Sequence, residues 1–353
     1  MKILNKTLLV FCLIQTILLI FWVPAVHSQD SLNCALKLQE AQSLYNNGLI
    51  DPVPDLLTGC LSSGFTKEEE LTAYKLLILT YLFEDKISQA DSAMLSFLKE
   101  NPEYEISPTD HTSFIYLYNK FEVKPVVQIG GHLGSNLPFL TFITPHTLAG
   151  TPGQRTYSSK ATNLFFSVEA KLKLRNNIDL NIETGYSQLS FTRIEDFMGF
   201  ESINYIETQR RIEIPVSLTY DFKRIGNLIL YCRFGFGAGI NLNISAKVSS
   251  NATDINNSDN YTGEDVDRGK DSRIHIDTFT QFGTGVKYKV PHAFVSVELR
   301  SNLGLMNQTI RGGASSEYLN SLNHYIDDDF NMNTLNLCLG YTYVFYKPIK
   351  RTE

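Results

Sequence analysis

From Lys124 to Tyr346 the hydropathy of this chain alternates with a period of two, and no other feature of the sequence limits its folding as much. Successive side chains of a strand point to opposite faces, so each such segment has one apolar and one polar row. Over 161–174, Leu164, Phe166, Val168, Ala170, Leu172 and Leu174 share one face, and Ser167, Glu169, Lys171 and Lys173 the other. Over 228–246 the apolar row runs Leu230, Cys232, Phe234, Phe236, Ala238, Ile240, Leu242, against Arg233, Gly235, Gly237, Gly239 and Asn241. Val295, Val297, Leu299 and Leu303 oppose Glu298, Arg300 and Asn302, and Leu335, Leu337, Leu339, Tyr341, Tyr343 and Phe345 oppose Asn336, Cys338, Gly340 and Thr342. A soluble sandwich or lipocalin-like barrel would have to bury those charges together or show the aromatic row to water. A barrel whose apolar row faces lipid needs neither.

Eight segments carry this pattern: 125–137, 161–174, 177–191, 204–220, 228–246, 273–290, 292–307 and 334–347. An even number suits an antiparallel, eight-stranded transmembrane β-barrel. The connections alternate in length: Arg175-Asn176, Asp221 to Asn227 and Pro291 are short, whereas 138–160, 192–203, 247–272 and 308–333 are long and rich in Gly, Ser, Asn and Asp. Short turns on one rim and long loops on the other are the pattern of outer-membrane barrels, with the short turns periplasmic.

Compartment follows from the N-terminus. Lys2 and Lys6 precede an apolar run from Leu8 to Val23 that Pro24 closes, and Val26 and Ser28 stand at the small-residue positions of a cleavage site. The expected signal peptide is therefore 1–28, and the run falls short of the roughly 20 residues a spanning helix needs. The whole chain has a formal charge of −6, and losing Lys2 and Lys6 makes the mature protein more acidic still. That balance excludes nucleic acid as a partner. Cys34, Cys60, Cys232 and Cys338 remain after cleavage, without the spacing of a zinc site. Cys232 and Cys338 fall on opposite strand faces and should not bridge. Cys34 and Cys60 lie in adjacent helices, where an oxidising compartment permits a disulfide and two buried thiols are the alternative.

Between the leader and the strands, residues 29–122 have helical periodicity. Leu36, Leu38, Ala41, Leu44 and Tyr45 mark a first helix ended by Asn46-Asn47-Gly48, and Pro52 to Leu61 a second stopped near Gly64. Thr66 caps a third, Ser88 begins a fourth that runs to Pro102, and a fifth covers 108–121. Tyr74, Leu77, Tyr81, Ala90 and Pro102 fall at the spacing of one tetratricopeptide unit, although Ile78 occupies a position that prefers a small residue. The expected fold is thus an N-terminal all-α domain of tetratricopeptide-like hairpins over 29–122, a C-terminal all-β barrel over 123–347 and a short tail over 348–353.

Inside the barrel, Lys171, Lys173, Arg211, Arg233, Lys287, Lys289 and Arg300 face Glu169, Asp179, Glu183, Glu207, Glu213, Asp277 and Glu298. Balanced signs in so narrow a lumen predict a packed ion-pair network in preference to a pore. No catalytic, metal or cofactor residue is assigned, and no cofactor is expected. His146 or His324 with a loop serine is the arrangement an enzyme would use, and the alternate carboxylates of Asp265 to Asp271 with Asp327-Asp328-Asp329 the arrangement calcium would use. Solvated loops are the simpler reading of both.

The first strand Gly130-Gly131-His132-Leu133-Gly134-Ser135-Asn136 and the closing Gly340-Tyr341-Thr342-Tyr343-Val344-Phe345 resemble the eight-stranded outer-membrane barrels of Bacteroidota, related to the PorT type. The resemblance covers about two thirds of the chain, and some members of that family assist type IX protein secretion. The helical region before the barrel departs from the simplest members of that family; having no evident chemistry and standing beside a barrel too narrow to conduct well, it gives the expectation of a non-enzymatic outer-membrane protein whose periplasmic helical domain serves protein–protein interaction in an accessory or assembly role. Its expected partners are outer-membrane lipid and a periplasmic or outer-membrane protein. Transport of a small solute or ion through the barrel, or extracellular adhesion by the loops, is the alternative.

Overall fold

A computed structural model describes residues 28–62, 64–144, 154–159, 163–197, 201–252, 261–262, 266–268, 272–310 and 327–351. The expected signal peptide lies outside them except for its last residue, Ser28. Two compact units divide the chain: residues 1–123 with 348–353, and residues 124–347.

The first unit is helical. Its helices are α1 (Ser28–Asn46), α2 (Val53–Leu61), α3 (Lys67–Phe83), α4 (Ile87–Glu100) and α5 (Thr112–Tyr118). Thr66 caps α3 through a reciprocal capping box with Glu69, which satisfies two end N–H groups. The apolar stripes of the helices meet in one core that includes Leu38, Leu57, Ile78, Met94, Phe97 and Phe114. Cys34 and Cys60 form a disulfide between α1 and α2, so of the two alternatives the bridge is the one present. Gly64 packs on it so closely that a Cβ there would stand 2.3 Å from the Cys34 Sγ. Asp110 ties the segment before α5 to α3, accepting hydrogen bonds from Lys75 Nζ (2.6 Å), Tyr104 Oη (2.5 Å) and the Ser107 N–H (2.8 Å).

The second unit is an antiparallel sheet. Its long strands are β1 (Phe121–Thr144), β3 (Asn163–Arg175), β4 (Ile178–Phe197), β5 (Glu201–Ile225), β6 (Leu228–Ala252), β9 (Ile276–Val290), β10 (Ala293–Gly304) and β11 (Asp329–Lys350). Short β2 (Gln154–Ser159) pairs with β4, and β7 (Tyr261–Thr262) and β8 (Val266–Asp267) pair with β6. The long strands follow the order β4-β3-β1-β11-β10-β9-β6-β5, and β4 also pairs with β5, in register from Ile178 opposite Tyr220 to Phe197 opposite Glu201. The alternation read from sequence holds in space: Leu164, Phe166, Val168, Leu337 and Leu339 are exposed, whereas Glu169, Glu298, Arg300 and Cys338 are buried. Cys232 is exposed, so it and Cys338 do lie on opposite faces.

Two expectations about the connections are corrected. The turn from β5 to β6 is only Gly226-Asn227, because β5 continues to Ile225. Much of the expected long loops is strand: β1 runs on to Thr144, β4 to Phe197 and β6 to Ala252, while β5 begins at Glu201 and β11 at Asp329. The physical reason lies on the outward face. Along β5, Tyr220, Leu218, Val216, Ile214 and Ile212 point out, a length close to the 9–11 residues of a membrane-crossing strand. Beyond Arg210 the outward row is mostly polar, with Thr208, Asn204 and Ser202 around Ile206, and past Gln209 and Glu207 the inward row becomes apolar, with Tyr205 and Ile203 buried. In β6 a bulge at Leu242, where Arg210 pairs with Asn243 and Arg211 with Asn241, turns Ile244, Ala246 and Val248 inward. With Leu189, Phe191, Phe330 and Met332 these residues form a second apolar core. β5 and β6 therefore carry on past the apolar band with the polarity of their two faces largely exchanged, and a composition rich in Ser, Thr and Asn reads as loop when that exchange is missed.

Candidate functional site

The inward face of the sheet concentrates the unusual chemistry of the molecule. At mid-height, Arg233 of β6 reaches Glu298 of β10 (Nε to Oε1, 2.8 Å), Glu169 of β3 (Nη2 to Oε2, 3.0 Å) and Glu183 of β4 (Nη1 to Oε2, 3.3 Å). Arg300 pairs with Glu183 at 2.7 Å and with Glu298 at 3.1 Å. Lys171 is 2.7 Å from Glu169, and Tyr231 donates to Glu298 at 3.0 Å. The Arg233 contacts join β6 to strands with which it shares no backbone ladder: among the long strands β6 is bonded to β5 and β9, yet Arg233 holds side chains of β3, β4 and β10. Each charged group reaches this position because it occupies an inward step of its strand.

Further charge clusters continue on either side. Towards the short turns, Lys287 pairs with Asp221 at 2.7 Å and Lys173 with Asp179 at 3.2 Å. In the other direction, Arg211 pairs with Glu213 at 2.7 Å and Asp277 at 3.4 Å, while Asn302 donates to Glu213. Beyond these lies a set of which sequence reasoning placed only Glu207 in the interior. Arg273 holds Glu207 (2.8 Å) and Asp327 (2.9 Å), Arg268 also pairs with Asp327, and Arg155 holds Glu195 (2.7 Å) and Asp328 (2.8 Å). The expectation of solvated carboxylates at Asp327 to Asp329 is corrected, since all three are buried. Arg268, which interrupts the negative run around Asp265, is the partner of one of them. The arginines in the expected loops were the available signal, because an acidic run with matched basic residues nearby suits burial better than calcium.

His132, Glu169 and Glu183 present donor atoms within 4.8 Å of one another, the spacing of a metal site. Their surroundings argue for ion pairing instead: both carboxylates are bonded to arginine, Glu169 also to Lys171, and three fixed cations already match the three glutamates. The other described histidines are scattered, His111 capping α5 and His292 in the β9–β10 turn. His146 and His324, like Asp265 and Asp271, lie outside the described residues.

A continuous apolar band outside and a polar, ion-paired interior define a strand-built membrane protein, and a family model agrees. The model described as outer membrane protein beta-barrel domain matches residues 125–309, more than half of the chain. The chain belongs to that family. As an outer-membrane barrel protein it also resembles solved structures in fold. Neisserial surface protein A is 11% identical, with 64% of this chain and 99% of that one covered and a TM-score of 0.32. Outer membrane protein W of Escherichia coli is 13% identical, with coverage of 63% and 99% and a TM-score of 0.29. The outer membrane protease OmpT of Escherichia coli is 12% identical, with coverage of 64% and 95% and a TM-score of 0.28. No curated protein matches the chain in sequence.

For an outer-membrane barrel this interior has a direct physical meaning. A closed barrel of eight strands has room for little more than its own side chains, and the inward side chains here are long, charged and mutually bonded. Water and ions would have to break several buried pairs to pass, and each carboxylate so freed would stand uncompensated in a low dielectric.

Proposed function

We propose that the protein is a non-enzymatic outer-membrane anchor whose barrel is closed and filled, and whose helical domain lies in the periplasm and docks a protein partner. The observation that carries the reading is the lumen: Arg233 and Arg300 between them bond glutamates from β3, β4 and β10. A sheet in which every long strand has two paired neighbours leaves no edge for lipid, as a closed barrel requires. The periplasmic side is inferred from the three two-residue turns, Asn176-Asn177, Gly226-Asn227 and Pro291-His292, on the rim where β1 begins. Antiparallel α3 and α4 with Tyr74, Leu77 and Ala90 between them support tetratricopeptide-like packing, a scaffold that suits peptide binding. The resemblance to PorT-type barrels of Bacteroidota points to an accessory or assembly role in an outer-membrane machine such as protein secretion.

Mild crosslinking in isolated outer membranes tests this, comparing what copurifies with the intact protein and with a form lacking residues 31–121. Loss of a partner with the helical segment is expected, and retention of every partner would refute docking. In planar bilayers the folded protein should give no discrete conductance steps; regular ion-selective steps would favour transport.

A further inference from the structure

The helical unit contains a groove that the docking reading leaves without an assigned ligand. A 330 Å³ hollow between α2, α3 and α4 is lined on one wall by Tyr74, Leu77 and Tyr81 and on the other by Ser88, Ser92 and Ser96. It adjoins a 390 Å³ pocket that shares Leu61 and Tyr74 and is lined at its far end by Glu70 and Glu100.

Both parts of the groove offer acceptors. Ser92 gives its hydroxyl proton to the Ser88 carbonyl (2.9 Å) and Ser96 gives its own to the Ser92 carbonyl (3.1 Å). Back-bonding of this kind leaves oxygen lone pairs as what a helix shows outward. Serines four apart on a helix are separated by roughly 6 Å, close to the roughly 6.6 Å between alternate N–H groups of an extended chain. At the other end, two carboxylates share a pocket and neither has an ion-pair partner among the described residues. Burial pushes the Glu70 carboxyl up, the neighbouring Glu100 pushes it further, and Lys67 offsets this only in part. Glu100 is also the last residue of α4, where the helix dipole disfavours an anion. Such local conflicts are expected where a site, and not the fold, sets the residue.

We propose that this groove binds an extended basic segment of a partner protein, with a lysine or arginine side chain between Glu70 and Glu100 and backbone N–H groups on the oxygens of Ser92 and Ser96. The assignment rests on the docking reading and gives it a chemistry: the partner contributes donors and positive charge, and the apolar wall of Tyr74 and Leu77 takes an uncharged side chain between them.

The test uses the full chain folded in detergent and a short fluorescein-labelled peptide of glycine, alanine and serine with one central lysine, beside its norleucine counterpart. Anisotropy titration should show the lysine peptide binding at least about tenfold more tightly, with the preference shrinking as salt is added. E70Q/E100Q should erase the preference while raising the thermal midpoint of the helical unit, because it removes a repulsion. S92A/S96A should weaken both peptides equally. No lysine preference, or one that survives in E70Q/E100Q, overturns the proposal. Crosslinked copurification separates this failure from failure of docking itself. A partner lost on deleting 31–121 but kept by E70Q/E100Q overturns the groove assignment and leaves docking standing, whereas a partner kept by both overturns docking and the groove together.

Discussion

Arg233 is the single residue on which most of the lumen depends, since it is the shared partner of Glu169, Glu183 and Glu298. Replacing it with methionine keeps much of its length but removes an ion pair from each of the three glutamates, so R233M should destabilise the barrel by about 3–5 kcal/mol, read from urea unfolding in detergent. Gly340 is constrained by space: a Cβ there would stand 2.5 Å from both His132 Cδ2 and Ser296 Oγ. G340V should therefore give no folded band on unheated electrophoresis, while G59A, in open space on α2, should fold normally. In the helical unit, burial works against ionisation of Asp110, yet the Lys75, Tyr104 and Ser107 donors outweigh it and hold its carboxyl below the usual range. The sign follows from linkage: the stabilisation is complete above the unfolded carboxyl value near 3.9 and is lost as pH falls through the lower folded value. D110N should lower the midpoint of the helical unit at neutral pH, and wild type and variant should converge in acid.

At the scale of elements, β5 holds two environments on one strand. Val216 lies in the apolar band and Thr208 beyond it, both pointing outward. V216R should cost about 2–4 kcal/mol and T208R close to nothing, a contrast that paired unfolding measurements would resolve. The positions of the strands were legible because the alternation is strict where lipid and lumen both impose it, as from Leu164 to Leu174. Their far ends were not, because in β5 the outward row past Arg210 is mostly polar, and in β6 the bulge at Leu242 shifts the parity on which the reading relied. The helices were legible from their ends, Thr66 with Glu69 and Asn47 with Gly48, which act through local backbone geometry alone. The lumen network was legible only where strands were: Glu169, Arg233 and Arg300 could be placed by parity, whereas Arg155, Arg268, Asp327 and Asp328 stand in segments read as loops and meet through tertiary folding that no periodicity reports.

For the molecule as a whole, the two units rest on different kinds of cohesion. The helical one combines an apolar core with a disulfide whose cysteines are 26 residues apart, a closure contributing about 3 kcal/mol. Reductant, or C34S/C60S, should lower the unfolding transition of the helices and leave that of the barrel where it was, followed by far-ultraviolet circular dichroism with and without thiol. The barrel instead has an inward face of ion pairs and an outward face that changes character along β5 between Arg210 and Ile212. That change works like a draught line on a hull. If the protein sank by one inward–outward pair, the Arg210 guanidinium would enter hydrocarbon; if it rose by one, Ile212 would meet water. The immersion depth is thus written into the strand itself, and a bilayer of different thickness must bend to meet the protein.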